Sequence, residues 1–254
     1  MKVSIITVVY NGIHEVENTI LSVLGQDYPD IEYLIIDGGS TDGTVEVIKK
    51  YSARISYWVS EKDNGFYDAL NKGVKVAQGE WIGILNSGDL FYNNHVISEM
   101  FQTRIPDNVQ VIYGDSIEIR EGEMYLHKAS KKAQDKRTPP DYRHGASFIR
   151  ADINKVFLYD VTQQSTYGYA LDYLQINKMY KAGVGFLYKN VIVLQYDGEG
   201  MSTHRWKNKY LRALSENDGK VNIRLYYLVL MSFVKALWNK LRRNIRVYKE
   251  HDEE

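Results

Sequence analysis

The chain has 254 residues, a net charge of zero and no cysteine. The missing thiols exclude disulfide scaffolds, thiolate metal sites and cysteine nucleophiles. The balance of 32 basic and 32 acidic residues argues against a dedicated nucleic-acid-binding protein, which would carry a basic excess. Apolar residues make up 44% of the chain, so we expect one large domain or two small ones with a sizeable core.

The charges are distributed unevenly along the chain. Residues 1–100 hold 7 basic and 14 acidic residues, whereas residues 205–254 hold 12 basic and 6 acidic residues. An acidic N-terminal part indicates a metal site or a site for cationic groups, and a basic C-terminal part indicates an anionic partner. We see no signal-peptide pattern, and the longest uncharged stretch near the C-terminus, residues 225–234, is too short to cross a bilayer. We therefore expect a cytoplasmic protein, free or at the cytoplasmic face of the membrane.

Short apolar runs alternate with amphipathic stretches through the first hundred residues. The pattern predicts helices over about 14–24, 44–51 and 66–77 and strands at Val3–Val9, Tyr33–Ile36, Ile55–Val59 and Trp81–Leu85. This alternating order is typical of a parallel sheet with right-handed crossovers. The loops that follow the four strands would then meet at one sheet edge and bring together four carboxylates, those of Asp37, Asp42, Asp63 and Asp89.

The second half of the chain has a different pattern. The elements that we expect there are a strand at Gln110–Tyr113, a hairpin of Ile117–Arg120 with Met124–His127, a strand at Ala146–Ile149, a helix over Tyr169–Tyr180, and a second hairpin in which Phe186–Tyr188 and Val191–Tyr196 flank Lys189-Asn190. Residues 128–143 form a basic loop, which is either a solvated loop or a lid over an acceptor site. From Arg205 onward the pattern is mostly helical.

Several spaced segments of the N-terminal half together resemble the opening of family 2 glycosyltransferases, which are inverting enzymes of the GT-A fold. The segments are Ser4–Gly12, Ile35–Thr44, Asn71-Lys72-Gly73 and Glu80–Asp89. The resemblance is strong over residues 1–100 and weaker over residues 101–204. It implies an α/β fold with a mainly parallel central sheet.

The same resemblance implies a division of the chain. Residues 1–204 would form the glycosyltransferase domain, with a nucleotide-sugar-binding half at 1–100 and an acceptor-binding half at 101–204. Residues 205–254 would form a C-terminal helical appendage.

The resemblance also assigns residues to the nucleotide-sugar donor. In the family, the aspartate that matches Asp37 hydrogen-bonds the nucleotide base, and Tyr10 and Asn11 lie near the same pocket. Asp68 would face the donor sugar or its diphosphate, and Asn86 would complete the donor site after the fourth strand. The alternative for Asp37 is an Asx-type turn, and the alternative for Asp68 is a favourable position at a helix N-terminus.

Asp89 matches the metal-binding aspartate of the family. A divalent cation, Mg²⁺ or Mn²⁺, between this carboxylate and the donor diphosphate would stabilise the leaving group. The family often has two aspartates here, whereas this chain has Gly88 before Asp89 and Asn86 where many relatives carry an acid. His204 is a second metal-ligand candidate, because a histidine from a late loop completes the metal shell in some GT-A enzymes. The alternative for His204 is a structural histidine.

Asp172 resembles the aspartate that acts as catalytic base at a helix start in the family. Inverting transfer needs a base that takes the proton of the acceptor hydroxyl as it attacks the anomeric carbon. The alternative for Asp172 is a capping or solvated carboxylate. His144 precedes a predicted strand, as a histidine does in the family, and we expect it on the acceptor side.

Basic and apolar residues are mixed along residues 221–249 of the C-terminal region. A basic amphipathic helix can lie in the interface of a membrane with anionic lipids, which would suit an enzyme that acts on a lipid-linked sugar. The alternative is a helix packed on the core or on the second subunit of a homodimer.

The sequence thus predicts a metal-dependent, inverting glycosyltransferase of hexosyl or N-acetylhexosaminyl type. Its donor would be a nucleotide-sugar, UDP-linked, and its acceptor a hydroxyl of a glycan or a lipid-linked sugar in bacterial surface polysaccharide synthesis. One alternative is a catalytically weak sugar-nucleotide-binding protein, because the second acid near Asp89 is missing. Another is a nucleotidyltransferase, which would usually have a glycine-rich, basic loop where this chain has Tyr10-Asn11-Gly12.

Overall fold

The computed structural model describes residues 1–131 and 139–198 and eight later positions, which are Tyr210, Leu211, Ala213, Leu214, Tyr227, Leu230, Met231 and Val234. The chain divides into two compact units, residues 1–200 and residues 201–254. The predicted metal ligand His204 lies outside the described residues, as do the centre of the basic loop and most of the predicted helix over 221–249.

Within the described residues the chain forms nine strands and seven α-helices. In chain order they are β1 (Val3–Val9), α1 (Val16–Leu24), β2 (Ile31–Asp37), α2 (Thr44–Lys50), β3 (Tyr57–Ser60), α3 (Phe66–Val76), β4 (Trp81–Ile84), β5 (Leu90–Phe91), α4 (Val96–Phe101), β6 (Val111–Arg120), β7 (Glu123–His127), β8 (Ser147–Arg150), α5 (Ala151–Val156), α6 (Gln164–Tyr167), α7 (Leu171–Lys181) and β9 (Phe186–Asp197).

The described strands form one sheet, with the order β3-β2-β1-β4-β8-β6-β9-β5 and with β7 paired to β6. β1 pairs in parallel with β2 and β4, and β2 pairs in parallel with β3. The predicted α/β class and the parallel arrangement of the first four strands are therefore confirmed. All seven residues of β1 are buried, as expected for an inner strand of a parallel sheet with both faces covered.

Side chains on the two faces of β1 pack against different helices. Ile5 belongs to the main apolar cluster, together with Ile20 of α1. Ile6 points the other way, toward α3, where a Cβ atom built at Gly73 would lie only 2.6 Å from Ile6 Cγ2. The glycine of the Asn-x-Gly segment therefore allows α3 to approach the sheet closely.

The register of the parallel strands brings three loops side by side. Val9 at the end of β1 pairs with Asp37 at the end of β2, and Asp37 pairs with Ser60 at the end of β3. The loops that follow these strands leave the sheet at the same edge. Ligands of open α/β sheets bind at this edge, so these loops are where a site is expected.

β6 corrects one element of the prediction. The sequence predicted separate strands at Gln110–Tyr113 and Ile117–Arg120, but β6 is continuous through Asp115 and Ser116. Asp115 is tolerated inside the sheet because its carboxylate accepts hydrogen bonds from the amide of Ala129 at 2.9 Å and the hydroxyl of Tyr188 at 3.1 Å. The predicted hairpin between β6 and β7 is confirmed.

The predicted second hairpin is wrong. β9 is one strand of twelve residues that runs parallel to β6, and its register with β6 shifts on either side of Asp115. In this irregular stretch β9 contains more residues than the facing part of β6, and Lys189 and Asn190 are among the additional residues of β9. Gly114 lies opposite, and a Cβ atom there would come within 2.4 Å of the carbonyl oxygen of Val191. The polar pair is therefore part of a bulge rather than a turn.

The unit formed by residues 201–254 is described only at isolated helical positions. Tyr227, Leu230, Met231 and Val234 are exposed, and their spacing puts them on one helix face. Among the described residues, no helix is both long and apolar enough to span a bilayer.

Candidate active site

Asp37, the last residue of β2, is completely buried. Its carboxylate accepts hydrogen bonds from the backbone amides of Gly39 (3.1 Å) and Ser40 (2.9 Å), from the Ser60 hydroxyl (2.5 Å) and from the Ser40 hydroxyl. These bonds form an Asx-type turn and tie it to the end of β3. Both carboxylate oxygens of Asp37 are thus engaged within the loops of the sheet edge.

Asn11 links the loop after β1 to the loop after β2. Its backbone amide donates to Ser40 Oγ at 2.7 Å, and its side-chain Oδ1 accepts a hydrogen bond from the amide of Thr41 at 2.9 Å. The φ angle of Asn11 is 49°, a conformation that asparagine adopts more readily than most residues. The neighbouring Tyr10 is 67% exposed, so an aromatic ring faces solvent at the sheet edge.

Asp42 and Asp68 hold loops at the same edge. Asp42 Oδ1 accepts from the amide of Thr44 at 3.0 Å and from its hydroxyl at 2.6 Å, and Oδ2 accepts from the amide of Ile13 at 3.1 Å. Asp68 Oδ2 accepts from the amide of Asn64 at 3.0 Å. Both carboxylates are partly buried, and their hydrogen bonds fix the backbone at the N-terminal ends of α2 and α3.

The loop after β4 carries Asn86 and Asp89. Asn86 Nδ2 lies 3.3 Å from Asp89 Oδ2, and the Asp89 amide donates to the Asn86 carbonyl at 2.9 Å. Thr19 of α1 fixes the loop, because its hydroxyl donates to the Asp89 carbonyl and accepts from the Gly88 amide, both at 3.0 Å. Asn86 Oδ1 is buried and has no hydrogen-bond partner in the described part of the chain.

These two side chains fit a divalent cation. A carboxylate and an amide oxygen are both acceptable ligands for Mg²⁺, which keeps several of its waters and is commonly held by one or two carboxylates plus substrate phosphates. The unpartnered Oδ1 of Asn86 is an oxygen ligand available beside Asp89. Among the described residues, no group of three or more histidine, aspartate or glutamate side chains forms a metal site.

Arg143 brings a positive charge to this loop. Its guanidinium carbon lies 3.8 Å from the ring centroid of Tyr196 on β9, a cation–π contact that holds the group in place. Burial raises the pKa of Asp89 to about 6, and the charge of Arg143 acts in the opposite direction. Arg143 is exposed, and in the described part of the chain it forms no salt bridge.

Asp172 lies in the first turn of α7 and is partly buried. Its Oδ1 is 2.6 Å from the amide of Tyr173. Tyr67 on α3 is buried, and its burial, followed by the Asp172 charge, raises the pKa of its hydroxyl. Tyr67 therefore lies within electrostatic range of Asp172.

His144 lies within electrostatic range of Asp172. Its Nε2 is 2.8 Å from the hydroxyl of Tyr159. Burial lowers the pKa of His144, and this effect outweighs the opposing influence of the Asp172 charge, so the imidazole is neutral at pH 7. The consecutive residues Arg143 and His144 therefore interact electrostatically with two different candidate carboxylates, Asp89 and Asp172.

Comparison with known protein families identifies the family of this chain. The model of the family "Glycosyl transferase family 2" matches residues 4–166, which include the loops after β1 to β4 as well as Arg143 and His144. The chain belongs to glycosyl transferase family 2. The matched region also includes Asn71, which fixes the backbone of Tyr159.

Three relatives of this glycosyl transferase family 2 chain come from bacteria. It is 38% identical over 98 residues to an uncharacterised glycosyltransferase of Mycobacterium tuberculosis, covering 38% of this chain and 37% of the relative. It is 30% identical over 192 residues to an uncharacterised glycosyltransferase of Rickettsia typhi, covering 70% of this chain and 60% of the relative. It is 39% identical over 90 residues to the putative teichuronic acid biosynthesis glycosyltransferase TuaG of Bacillus subtilis, covering 34% and 36%. The chain thus spans about a third to three fifths of the length of these relatives.

Solved structures show the fold. The structure of S. aureus TarS 1–349 in complex with UDP matches 92% of this chain and 71% of TarS, with a TM-score of 0.64 and 15% identity. The mannosyltransferase PcManGT of Pyrobaculum calidifontis, in complex with GDP-Man and Mn²⁺, matches 90% of this chain and 68% of its own, with a TM-score of 0.64 and 16% identity. The predicted GT-A fold is confirmed by these neighbours.

The contact between Arg143 and Tyr196 was not visible in the sequence. Arg143 was only one member of the basic loop, and Tyr196 was only a strand residue, 53 positions later. Nothing local to either residue signals that they touch. The sequence likewise placed Asp63 at the crevice without showing its neighbours.

Proposed function

We propose that this chain is an inverting glycosyltransferase that transfers a sugar from a UDP-sugar to a hydroxyl group. The observation that carries the proposal is the relation between the two candidate carboxylates. Arg143 and His144 are adjacent in the chain, and each lies within electrostatic range of a different carboxylate, Asp89 and Asp172 respectively, which supports assigning both carboxylates to one site.

The donor side is built from the loop after β4. Asp89 and Asn86 would hold Mg²⁺ or Mn²⁺, and the exposed guanidinium of Arg143 would contact the diphosphate. When bound, the cation would neutralise charge that develops on the departing diphosphate. Tyr10, Asn11, Asp37 and Asp68 shape the crevice for the nucleoside and the donor sugar.

The acceptor side is built around Asp172. The acceptor oxygen attacks the anomeric carbon from the face opposite the diphosphate, and Asp172 takes the proton of that hydroxyl. The bond between the anomeric carbon and the diphosphate oxygen breaks, and its electron pair leaves with the nucleoside diphosphate. The product is a glycoside of inverted configuration. Neutral His144, held by Tyr159, occupies the acceptor side without adding a competing positive charge.

The biological setting is inferred from the names of the relatives. Because one relative is named for teichuronic acid biosynthesis, we assign the product to bacterial surface polysaccharide or to a lipid-linked precursor. Residues 1–100 would bind the donor and residues 101–204 the acceptor. The exposed positions Tyr227, Leu230, Met231 and Val234 support a role of the segment 221–249 in contacting a membrane or a second subunit. Flotation with anionic liposomes separates these roles when the full-length chain is compared with a 1–220 truncation. Equal flotation of the two would exclude membrane contact through this segment.

A thermal-shift panel tests the donor. UDP, GDP, CMP-linked and dTDP-linked sugars would each be added with and without Mn²⁺. A ligand at 100 times its Kd stabilises the folded state by about 2.7 kcal/mol. We expect a shift with UDP compounds that grows with Mn²⁺. The absence of a shift with every nucleotide would contradict the donor assignment.

A further inference from the structure

Three loops converge on one point at the carboxyl edge of the sheet, beside Gly38. A Cβ atom built at Gly38 would lie 2.7 Å from Asp63 Oδ2 and 3.4 Å from Tyr10 Cδ2. Gly38 follows β2, Tyr10 follows β1 and Asp63 follows β3. The carboxylate of Asp63 thus occupies the space that a side chain at position 38 would take.

The two carboxylates near this point differ in availability. Asp37 is completely buried, and both its oxygens accept hydrogen bonds from neighbouring loops. Asp63 is partly exposed. Its Oδ1 accepts from the amide of Gly65 at 2.8 Å, which fixes the group, while no hydrogen bond to Oδ2 is found in the described part of the chain. Asp63 therefore presents one free, oriented carboxylate oxygen.

Tyr10 supplies the second element of a base site. Its ring is 67% exposed, and its edge lies next to the same point as Asp63 Oδ2. An exposed aromatic ring stacks any nucleobase, because every base has a π-face. A base lying on Tyr10 would turn its edge toward the Asp63 carboxylate.

We propose that Asp63, rather than Asp37, recognises the nucleotide base through a hydrogen bond to its carboxylate. This inference rests on the proposed function, since it assigns a residue of the donor site. A carboxylate oxygen accepts a hydrogen bond from an N–H group. Uracil offers its N3–H in the middle of its pairing edge, whereas N3 of cytosine is an acceptor and would repel the carboxylate. Asp63 therefore favours UDP over CDP.

The Asp63→Asn variant tests this selectivity. Its amide is nearly isosteric, can donate to N3 of cytosine and removes the charge-assisted bond to uracil. Isothermal titration with UDP and with CDP, each in the presence of Mn²⁺, should show UDP affinity lower by about tenfold or more. The affinity for CDP should stay equal or rise, so the UDP-to-CDP ratio falls by at least tenfold. Glu61→Gln, in the same loop, is the matched charge control and should keep the wild-type ratio.

Gly38→Ala provides a second, independent variant. The added methyl group would displace the Asp63 carboxylate and should lower the UDP-to-CDP ratio without removing any charge. Thermal melts confirm that each variant folds. An unchanged ratio in Asp63→Asn, or equal losses of UDP and CDP affinity, would overturn the role of Asp63. Failure of the wild type to bind any nucleoside diphosphate would instead overturn the proposed function.

Discussion

Asn71 makes hydrogen bonds to both backbone groups of Tyr159, 88 residues later in the chain. Its Nδ2 donates to the Tyr159 carbonyl at 2.9 Å, and its Oδ1 accepts from the Tyr159 amide at 2.9 Å. The Tyr159 hydroxyl in turn contacts His144. The asparagine of the Asn-x-Gly segment therefore joins α3 to Tyr159 and, through the Tyr159 hydroxyl, to His144.

Asn71→Ala should destabilise the protein. It leaves a buried amide and a buried carbonyl of Tyr159 without their partner, and each such group costs about 1–3 kcal/mol. We expect a loss of about 2 kcal/mol or more in the free energy of unfolding, measured by urea denaturation. Lys75→Ala, at an exposed position of the same helix, should change it by less than about 0.5 kcal/mol. Equal stability of the two variants would show that the Asn71 bonds are unimportant.

Asp89→Asn should weaken the binding of UDP that depends on Mn²⁺. The amide is a poorer ligand than the carboxylate, so the gain in UDP affinity on adding Mn²⁺ should shrink by about tenfold, and transfer should slow as well. Calorimetric titration with and without Mn²⁺ measures this gain. Asp107→Asn, whose side chain is 91% exposed, is the control. A full Mn²⁺ effect in Asp89→Asn would remove this residue from the metal site.

Arg143→Gln should lower the affinity for UDP but leave that for uridine unchanged within about twofold. A hydrogen bond to a charged group contributes about 1.5–3 kcal/mol, so the loss for UDP should be about tenfold or more. Arg143→Lys should lose less, because it keeps the charge but not the planar fork. Arg104→Gln, a highly exposed arginine, should behave as wild type. Equal losses for UDP and uridine would argue against contact with the diphosphate.

Glu118 on β6 should make stability depend on pH. It accepts hydrogen bonds from His127 at 2.7 Å and from Arg120. Burial alone would raise the pKa of Glu118, but the bonds from Arg120 and His127 outweigh burial and lower it. Because the pKa of Glu118 is lower in the folded state than in the unfolded state, its ionised carboxylate stabilises the folded protein at pH values above the unfolded-state pKa of about 4.5. This stabilisation is lost as the pH falls through the folded-state pKa.

Glu118→Gln should therefore cost about 1–3 kcal/mol near pH 7, and its difference from the wild type should shrink as the pH falls from about 5 toward 3. Chemical denaturation across this range measures the difference. Glu46→Gln, with a side chain 72% exposed, should give no comparable trend. A difference that stays constant from pH 7 to pH 3 would contradict the role given to Glu118.

The parallel part of the fold was predictable because of how its strands are buried. β1 and β2 lie inside a sheet covered on both faces, so they are nearly continuous apolar runs. A strand of this kind ends where polar residues begin, and in a parallel sheet those ends share one edge. The position of Asp37, Asp63 and Asp89 at that edge followed from the pattern alone.

The rest depended on contacts between distant segments. Lys189-Asn190 has the composition of a hairpin turn, and only the alignment of β9 with β6 beside Gly114 shows that it is a bulge. The engagement of both Asp37 oxygens and the free oxygen of Asp63 likewise result from how three loops meet. Local sequence does not contain this information, because it concerns which residues become neighbours across the sheet edge.

Asp172 as the catalytic base is the central claim, and Asp172→Asn tests it. The variant should bind UDP within about twofold of the wild type, because the base acts on the acceptor. Its kcat should fall by about 10²–10⁴, the usual contribution of a general base. Circular dichroism should show that it is folded. Asp160→Asn is the matched control, because that carboxylate already accepts hydrogen bonds from Thr162 and Gln163.

The most direct measurement is the release of UDP from a UDP-sugar with saturating acceptor, for the wild type and for Asp172→Asn side by side. We predict turnover by the wild type and by Asp160→Asn, and a loss of at least a hundredfold in Asp172→Asn. Retention of more than a tenth of the wild-type kcat by Asp172→Asn would contradict its role as base. Pyrophosphate release from UTP by the wild type, without UDP release from any UDP-sugar, would contradict glycosyl transfer itself.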